Sequence, residues 1–259
     1  GNSRNVTSSG EWGANPPSWK IEFALSSGQT ATLNTAFKAG YVTITSGTLD
    51  ILNNDLRVDV GSAGVGTLTI STGATLRVGS GNVQRTGTSS STNHFGTLTL
   101  DGTLTYTSTS VGAIGAGTIS FSGSVEYLAA GNQTLVTKGG NSGGTNASTY
   151  TNLKLSGSGT KTLGSNTSVN GTLTLAGTAS LSLGSFTLSY GSASTLEYNG
   201  SSAQTTTDIE FPSSAGPKNL TISNPLGVSF HNSRTIEGNV KVNDGATINI
   251  PASKTLTVQ

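Results

Sequence analysis

Residues 170–191 read NGTLTLAGTASLSLGSFTLSYG. Leucine recurs at alternate positions, with Thr, Ser, Gly and Ala between, inside a stretch (162–196) that holds no Asp, Glu, Lys, Arg or His. Period-two alternation sends Leu to one face of a strand and hydroxyl side chains to the other. The spacing therefore predicts short β-strands with a thin apolar core and an uncharged polar exterior.

The same unit recurs along the chain: GTLDI at 47, GTLTI at 66, GTLTL at 96, GTLTY at 102, GTISF at 117 and GTLTL at 171. Each run ends within a few positions at Gly, Asn, Ser or Asp, and no stretch has helical spacing filled by good helix formers. Ser and Thr together number 80, Gly adds 36, charged residues are 10% and the formal net charge is +1. Disordered chains are rich in net charge and poor in β-branched residues; this one is the reverse.

A longer repeat overlies the short one. Residues 152–183 align with 219–250 without a gap. Leu153 then falls on Leu220, Leu155 on Ile222, Leu163 on Phe230, Val169 on Ile236, Leu173 on Val240 and Leu181 on Ile248. One inserted position carries Leu188 onto Leu256 and Tyr190 onto Val258. Upstream, EYLAAGNQT at 126 matches EYNGSSAQT at 197, so the repeats are bounded as 126–196 and 197–259. Apolar positions persist while the residues between them change, the mark of a packing repeat. Leu173, Leu175, Leu181 and Leu183 are expected to point inward, and so are Val240, Val242, Ile248 and Ile250.

The fold class read from this is all-β: a parallel β-solenoid (β-helix) of short strands over 29–259. Its coils should take roughly 20–25 residues and stack about 4.8 Å apart. A charge repeated coil after coil would repel itself, whereas Thr and Ser can hydrogen-bond along a row.

Residues 1–28 are the atypical part. EWGANPPSWKIEF contains both tryptophans, Trp12 and Trp19, and reads as a cap or docking segment covering one end of the core. At the other end the sequence stops at ASKTLTVQ, inside a predicted strand with no polar cap after it. The two ends are expected to meet between copies of the chain, with Leu256 and Val258 near the junction and Trp12 and Trp19 supplying aromatic contacts.

The pattern YTNLKLSGSGTKTLGSNTSVNGTLTLAGTASLSLGSFTLSY, preceded by EYLAAGNQTL, resembles the β-helical repeats of large secreted bacterial surface proteins, of the adhesin-like and autotransporter-passenger-like kinds. The resemblance covers about 120–259 well and 40–120 more loosely. It implies an extracellular or cell-surface location and a β-helix that serves as stalk, scaffold or adhesive surface.

Enzymatic chemistry finds little support. The densest acidic stretch, LDILNNDLRVDV, holds Asp50, Asp55, Asp59 and Arg57. Alternation puts Asp55, Arg57 and Asp59 on one strand face, which reads as a solvated face with a local ion pair. His94 and His231 stand far apart, with no carboxylate or Cys beside them in sequence. There is no Cys, so no thiolate metal site, and no Asp-bearing calcium repeat. The Gly-rich GSAGVGT and GGNSGGT lack the GK[ST] ending and following helix of a phosphate loop. No catalytic residue, metal or cofactor is expected. The 13 basic residues are scattered, which gives no reason to expect a nucleic-acid surface. No apolar run approaches the ~18 residues of a membrane span. The Met-free sequence has no signal peptide and reads as a processed or excised chain.

Ranks of Thr on a solenoid face can bind ice. The candidates are TIT at 43 and TLT at 67, 97, 103, 172 and 255. Those positions are unevenly spaced, which argues against one aligned rank. The expected function is an extracellular structural protein, a self-assembling subunit of a fibre, sheath or surface layer. The alternative is an adhesin or passenger stalk whose faces bind glycans. A polysaccharide-active β-helix enzyme and an ice-binding protein are minor alternatives.

Overall fold

The computed structural model describes residues 4–6, 20–59, 66–84, 95–111, 114, 116–135 and 148–259. Trp12, Trp19 and His94 lie outside them. The chain is all-β, with no helix among the described residues, and its parallel strands stack as a β-solenoid of about nine turns. Two compact units divide it: Gly1–Val125 with Val136–Asn146, and Glu126–Leu135 with Ala147–Gln259.

In the C-terminal unit, each regular coil contributes one short strand to each of three faces. The first face stacks Asn152–Leu155, the first half of Thr172–Ser182, Thr195–Gly200, Asn219–Ile222 and Val240–Val242. The second stacks Gln133–Thr134, Ser158–Thr162 and the second half of Thr172–Ser182, and then Gln204–Thr205, Val228–Ser229 and Ile248–Asn249. The third stacks Ser148–Tyr150, Thr167–Val169 and Leu188–Tyr190, and separately Arg234–Ile236 on Leu256–Val258.

Register explains the long repeat. Leu153 pairs with Leu173, Leu173 with Leu196, Leu196 with Leu220 and Leu220 with Val240. The first and last of these four steps are equal in length. Leu153 to Leu220 therefore spans the same stretch of chain as Leu173 to Val240. The repeat is three coils, and the structural unit is one.

The core is a column of like on like. Leu153, Leu173, Leu196 and Leu220 are at most 1% exposed, as are Leu155, Tyr198 and Ile222 in the neighbouring column. At roughly 25 cal/mol per Å² of apolar area, each such side chain contributes about 1.5–3 kcal/mol. Leu183 departs from the expected inward set. It is only half-buried, because the chain has already entered the turn at Gly184.

Corners are set by glycine. Thr172–Ser182 is one continuous strand that pairs with Thr195–Gly200 up to Gly177 and with Ser158–Thr162 after it. Gly177 has φ +60°, and a Cβ there would collide with the carbonyl oxygen of Gly157 in the coil below. Gly177→Ala is expected to destabilise the protein by roughly 1–3 kcal/mol from backbone strain alone, more if the coil cannot shift. Chemical denaturation against wild type checks this.

The N-terminal unit also has three ladders. The first stacks Arg4–Val6, Thr30–Leu33, Thr48–Asp50, Thr75–Val78 and Thr103–Tyr106. The second stacks Phe37–Ala39, Leu56–Val58 and Val83–Gln84. The third stacks Lys20–Ala24, Tyr41–Ser46, Thr67–Ile70, Phe95–Leu100 and Ala116–Phe121. Coil lengths vary more here: the step from Ala31 to Leu49 is much shorter than those from Leu49 to Leu76 and from Leu76 to Leu104. Arg4–Val6 and Lys20–Ala24, both within residues 1–28, are strands of these parallel ladders.

Candidate functional site

The residues singled out for assembly at the C-terminal end lie in the last coil. Its strands Val240–Val242, Ile248–Asn249 and Leu256–Val258 each pair with the preceding coil. Their other edges have no strand against them among the described residues. One coil earlier, Ile222, Phe230 and Ile236 are at most 1% exposed, whereas Val242, Ile250 and Val258 are 44%, 39% and 54% exposed. Val240, Ile248 and Leu256 are half-buried. These side chains occupy core positions in the last of the described coils. Val242 and Ile250 thus continue the inward columns of Ile222 and Phe230, as expected, while their side chains are exposed in this last described coil.

The acidic stretch resolves into separate ion pairs. Asp50 meets Arg77 of the next coil at 3.3 Å, Asp59 meets Lys38 of the preceding coil at 3.2 Å, and Asp55 lies 3.7 Å from Arg57. Asp55 also accepts the Asn82 backbone N–H at 3.0 Å. Asp50 accepts the Leu52 N–H at 2.9 Å, closing a turn in which Leu52 has φ 51°. Lys38 and Arg57 are like charges in adjacent register, and each is offset by its own carboxylate. Each of the three carboxylates faces a different cation, so no pair converges on a common point. One outward row in the C-terminal unit, by contrast, places a hydroxyl between successive charges. Lys154, Thr174, Glu197, Thr221 and Lys241 succeed one another. Glu197 accepts from Thr174 Oγ1 at 3.0 Å and from Ser223 Oγ at 2.8 Å.

His231 is not the solitary loop histidine its sequence context suggests. Residues 207–217 replace the third-face strand of their coil, and this insert brings a polar cluster together. His231 Nε2 lies 3.0 Å from Asp208 Oδ1, and its Nδ1 lies 2.7 Å from Thr206 Oγ1. Arg234, 5% exposed, fills a core position beside the insert. It donates to the Phe211 carbonyl at 2.6 Å, to the Ser233 carbonyl at 2.8 Å and to Asp208, with its guanidinium 5.6 Å from the Phe211 ring. The hydrogen bond from His231, with help from Arg234, holds the Asp208 carboxyl below its ordinary range. Glu210, 3% exposed, accepts from Tyr198 Oη at 2.8 Å, from the Thr207 N–H at 2.6 Å and from the Thr207 hydroxyl. Tyr190 Oη donates to the Glu210 carbonyl at 2.5 Å. Burial, and then the Glu210 charge, push the Tyr190 and Tyr198 hydroxyls well above their ordinary range.

Thr206, His231 and Asp208 have the order of a nucleophile, base and orienting acid. Thr206, however, is fully enclosed, and its oxygen already accepts the His231 N–H at 3.1 Å. It cannot reach a substrate. A cleft of about 230 Å³ beside the insert is lined by Tyr198, Gln204, Thr205, Thr207 and Glu210 among others. The Glu210 oxygens there are taken by internal donors. Among the described residues no three His, Asp or Glu side chains are placed to hold a metal ion. The insert was visible in sequence only as a break: TTTDIEFPSSAGPK abandons the alternation and carries two acids and two prolines.

Lys161 is another residue that sequence reasoning passed over. It stands at an inward strand position and is fully enclosed. Its ammonium donates to the Ala129 carbonyl at 2.8 Å, the Gly131 carbonyl at 3.0 Å and Gln133 Oε1 at 2.8 Å, clamping the corner of the preceding coil. Burial lowers its pKa. No protein family, curated protein or solved structure matches the chain.

Proposed function

We propose that the chain is an extracellular structural protein, a solenoid subunit that stacks head to tail into a fibre, sheath or surface layer. The observation that supports this reading is the coil itself, which offers the next coil parallel strand edges and a column of like apolar side chains, Leu153, Leu173, Leu196 and Leu220. A coil of the same kind would continue these columns past Val242, Ile250 and Val258. Exposed strand edges are normally blunted or used. A contact between opposite ends of identical chains is heterologous, and where it does not close into a ring it propagates. The N-terminal end of a second copy, carrying Trp12 and Trp19, is the proposed partner. The paired, non-convergent carboxylates and the sealed Thr206 support a structural role over a hydrolytic one.

Sedimentation and electron microscopy of the 1–259 chain test the reading. Concentration-dependent linear particles are expected, and Val242→Lys with Val258→Lys should shorten them without lowering the melting temperature. A chain that stays monomeric at high concentration overturns the proposal.

A further inference from the structure

The third ladder of the N-terminal unit carries a two-dimensional array of hydroxyl residues. In one row Tyr41, Thr67 and Thr97 follow in register, and in the next row Thr43, Thr69 and Thr99 do. The backbone register continues to Thr118 and Ser120 on the following strand. The rows run from strand to strand without a shift, and the only irregularity on this ladder lies at its edge, between Phe23 and Ala24. The separations of these threonines in sequence are unequal because the coils differ in length. Register is imposed by the inward partners: Val42, Leu68 and Leu98 stack in one column and Ile44, Ile70 and Leu100 in the other, all at most 1% exposed. An aligned Thr rank, which uneven spacing in sequence spoke against, is thus present here.

Two further observations set this face apart. Thr43, Thr67, Thr69, Thr97 and Thr99 are half-buried and, among the described residues, their hydroxyls have no partner within the protein. Hydroxyls at the corners beside them are tied down: Thr45 donates to the Phe23 carbonyl at 3.2 Å, and Ser122 to the Leu100 carbonyl at 3.3 Å. The array is also free of charged residues from Tyr41–Ser46 onward, with Lys20 and Glu22 confined to the edge strand. The first ladder of the same unit has a Thr row too, Thr30, Thr48, Thr75 and Thr103, but its second row is broken by the Asp50–Arg77 pair.

We infer that this Thr face binds the surface of ice. Neighbouring strands repeat at about 4.8 Å, and alternate residues along a strand at about 6.6 Å. The first lies close to the shorter oxygen repeat on the prism plane of hexagonal ice, and the second falls somewhat short of the longer one, a gap that side-chain tilt across a single step can take up. Threonine is stiff at χ1, so its hydroxyl and methyl are held in place by the backbone rather than ordered on contact. Each hydroxyl can anchor a water at a modest cost in lost freedom, and that cost shrinks when the water is already joining a lattice. The methyls fill the spaces between anchored waters. A charged face would hold its hydration shell out of register with ice.

Ice binding by this face does not depend on head-to-tail stacking. Nanolitre osmometry of the 1–259 chain is expected to show thermal hysteresis that grows with protein concentration, with faceted crystals. Thr69→Tyr puts a bulky ring at the centre of the array and should remove most of the hysteresis, with the melting temperature by circular dichroism unchanged. Thr75→Tyr, on the first ladder, should keep the wild-type value. Wild type without hysteresis or faceting overturns the inference, as does a Thr75→Tyr loss equal to that of Thr69→Tyr. Binding to crystalline chitin or cellulose with no effect on ice would assign the face to polysaccharide and overturn it equally.

Discussion

Leu173→Asp is expected to unfold the C-terminal unit at room temperature. Leu173 is fully enclosed, stacked between Leu153 and Leu196 in a core only a few side chains wide. Losing a buried leucine costs about 2–5 kcal/mol, and an uncompensated carboxylate in that column adds several more. The total is comparable to the whole stability of a typical domain, about 5–15 kcal/mol. The surrounding strand offers no neutralising charge, since residues 162–196 contain no cation. The matched control is Ser180→Asp in the same strand. Ser180 is exposed, and its hydroxyl reaches only Thr160 Oγ1, at 3.4 Å, so that variant should melt within about 0.5 kcal/mol of wild type. Thr174, the neighbouring outward position, is a poorer control. It is 8% exposed and already donates to Glu197, so Asp there would set two carboxylates side by side. Circular dichroism of the purified variants decides the register. If Leu173→Asp melts like wild type while Ser180→Asp unfolds, the strand has been assigned the wrong face.

That register was legible because one physical rule governs it. Alternating Leu and Thr can satisfy a half-buried strand in only one way, and a slip of one position would turn every leucine outward. The offset between 152–183 and 219–250 was legible for an accidental reason: the step from Leu153 to Leu173 happens to equal the step from Leu220 to Val240. The single coil stayed hidden because its length changes from turn to turn. The same variation concealed the Thr array, since constant spacing in space does not require constant spacing in sequence when loops absorb the difference. The polar insert was illegible for another reason. Tyr198 reaches Glu210 across 12 residues, and His231 reaches Asp208 across 23, roughly one coil away. Sequence neighbours say nothing about such pairs; only the stacking that returns the chain above itself brings them together.

The fold should also fail in alkali, with the buried tyrosines setting the onset. Tyr150, Tyr190 and Tyr198 all have hydroxyls raised above 10.0, burial being the largest cause in each, and the Glu210 charge adds to it for Tyr190 and Tyr198. Tyr190 is only half-buried as a residue, but its hydroxyl is closed in against the Glu210 carbonyl. A group whose folded pKa exceeds its unfolded value keeps its proton in the folded state while the unfolded chain loses it. The stabilisation is complete below pH 10.0 and declines as pH rises through the window above it. Each such tyrosine removes about 1.4 kcal/mol per pH unit within its window, so three acting together remove roughly 4. Lys161 acts with the opposite sign. Its folded pKa is lowered from 10.5, so its burial costs least once the amine is neutral, and its contribution rises with pH up to 10.5 and is flat beyond. Above 10.5 Lys161 no longer offsets the tyrosines. Guanidinium unfolding at a series of pH values from neutral to well above 10.5 should therefore show stability falling steeply over the last steps. Tyr190→Phe with Tyr198→Phe should flatten that slope, even though losing the Tyr198 donor to Glu210 lowers the neutral-pH level by about 1–3 kcal/mol. The slope, not the level, is the readout. An unchanged slope in the double variant would mean that these two hydroxyls titrate normally, and that Tyr198 and Thr207 enclose Glu210 more loosely than their 2.8 Å and 2.6 Å contacts imply.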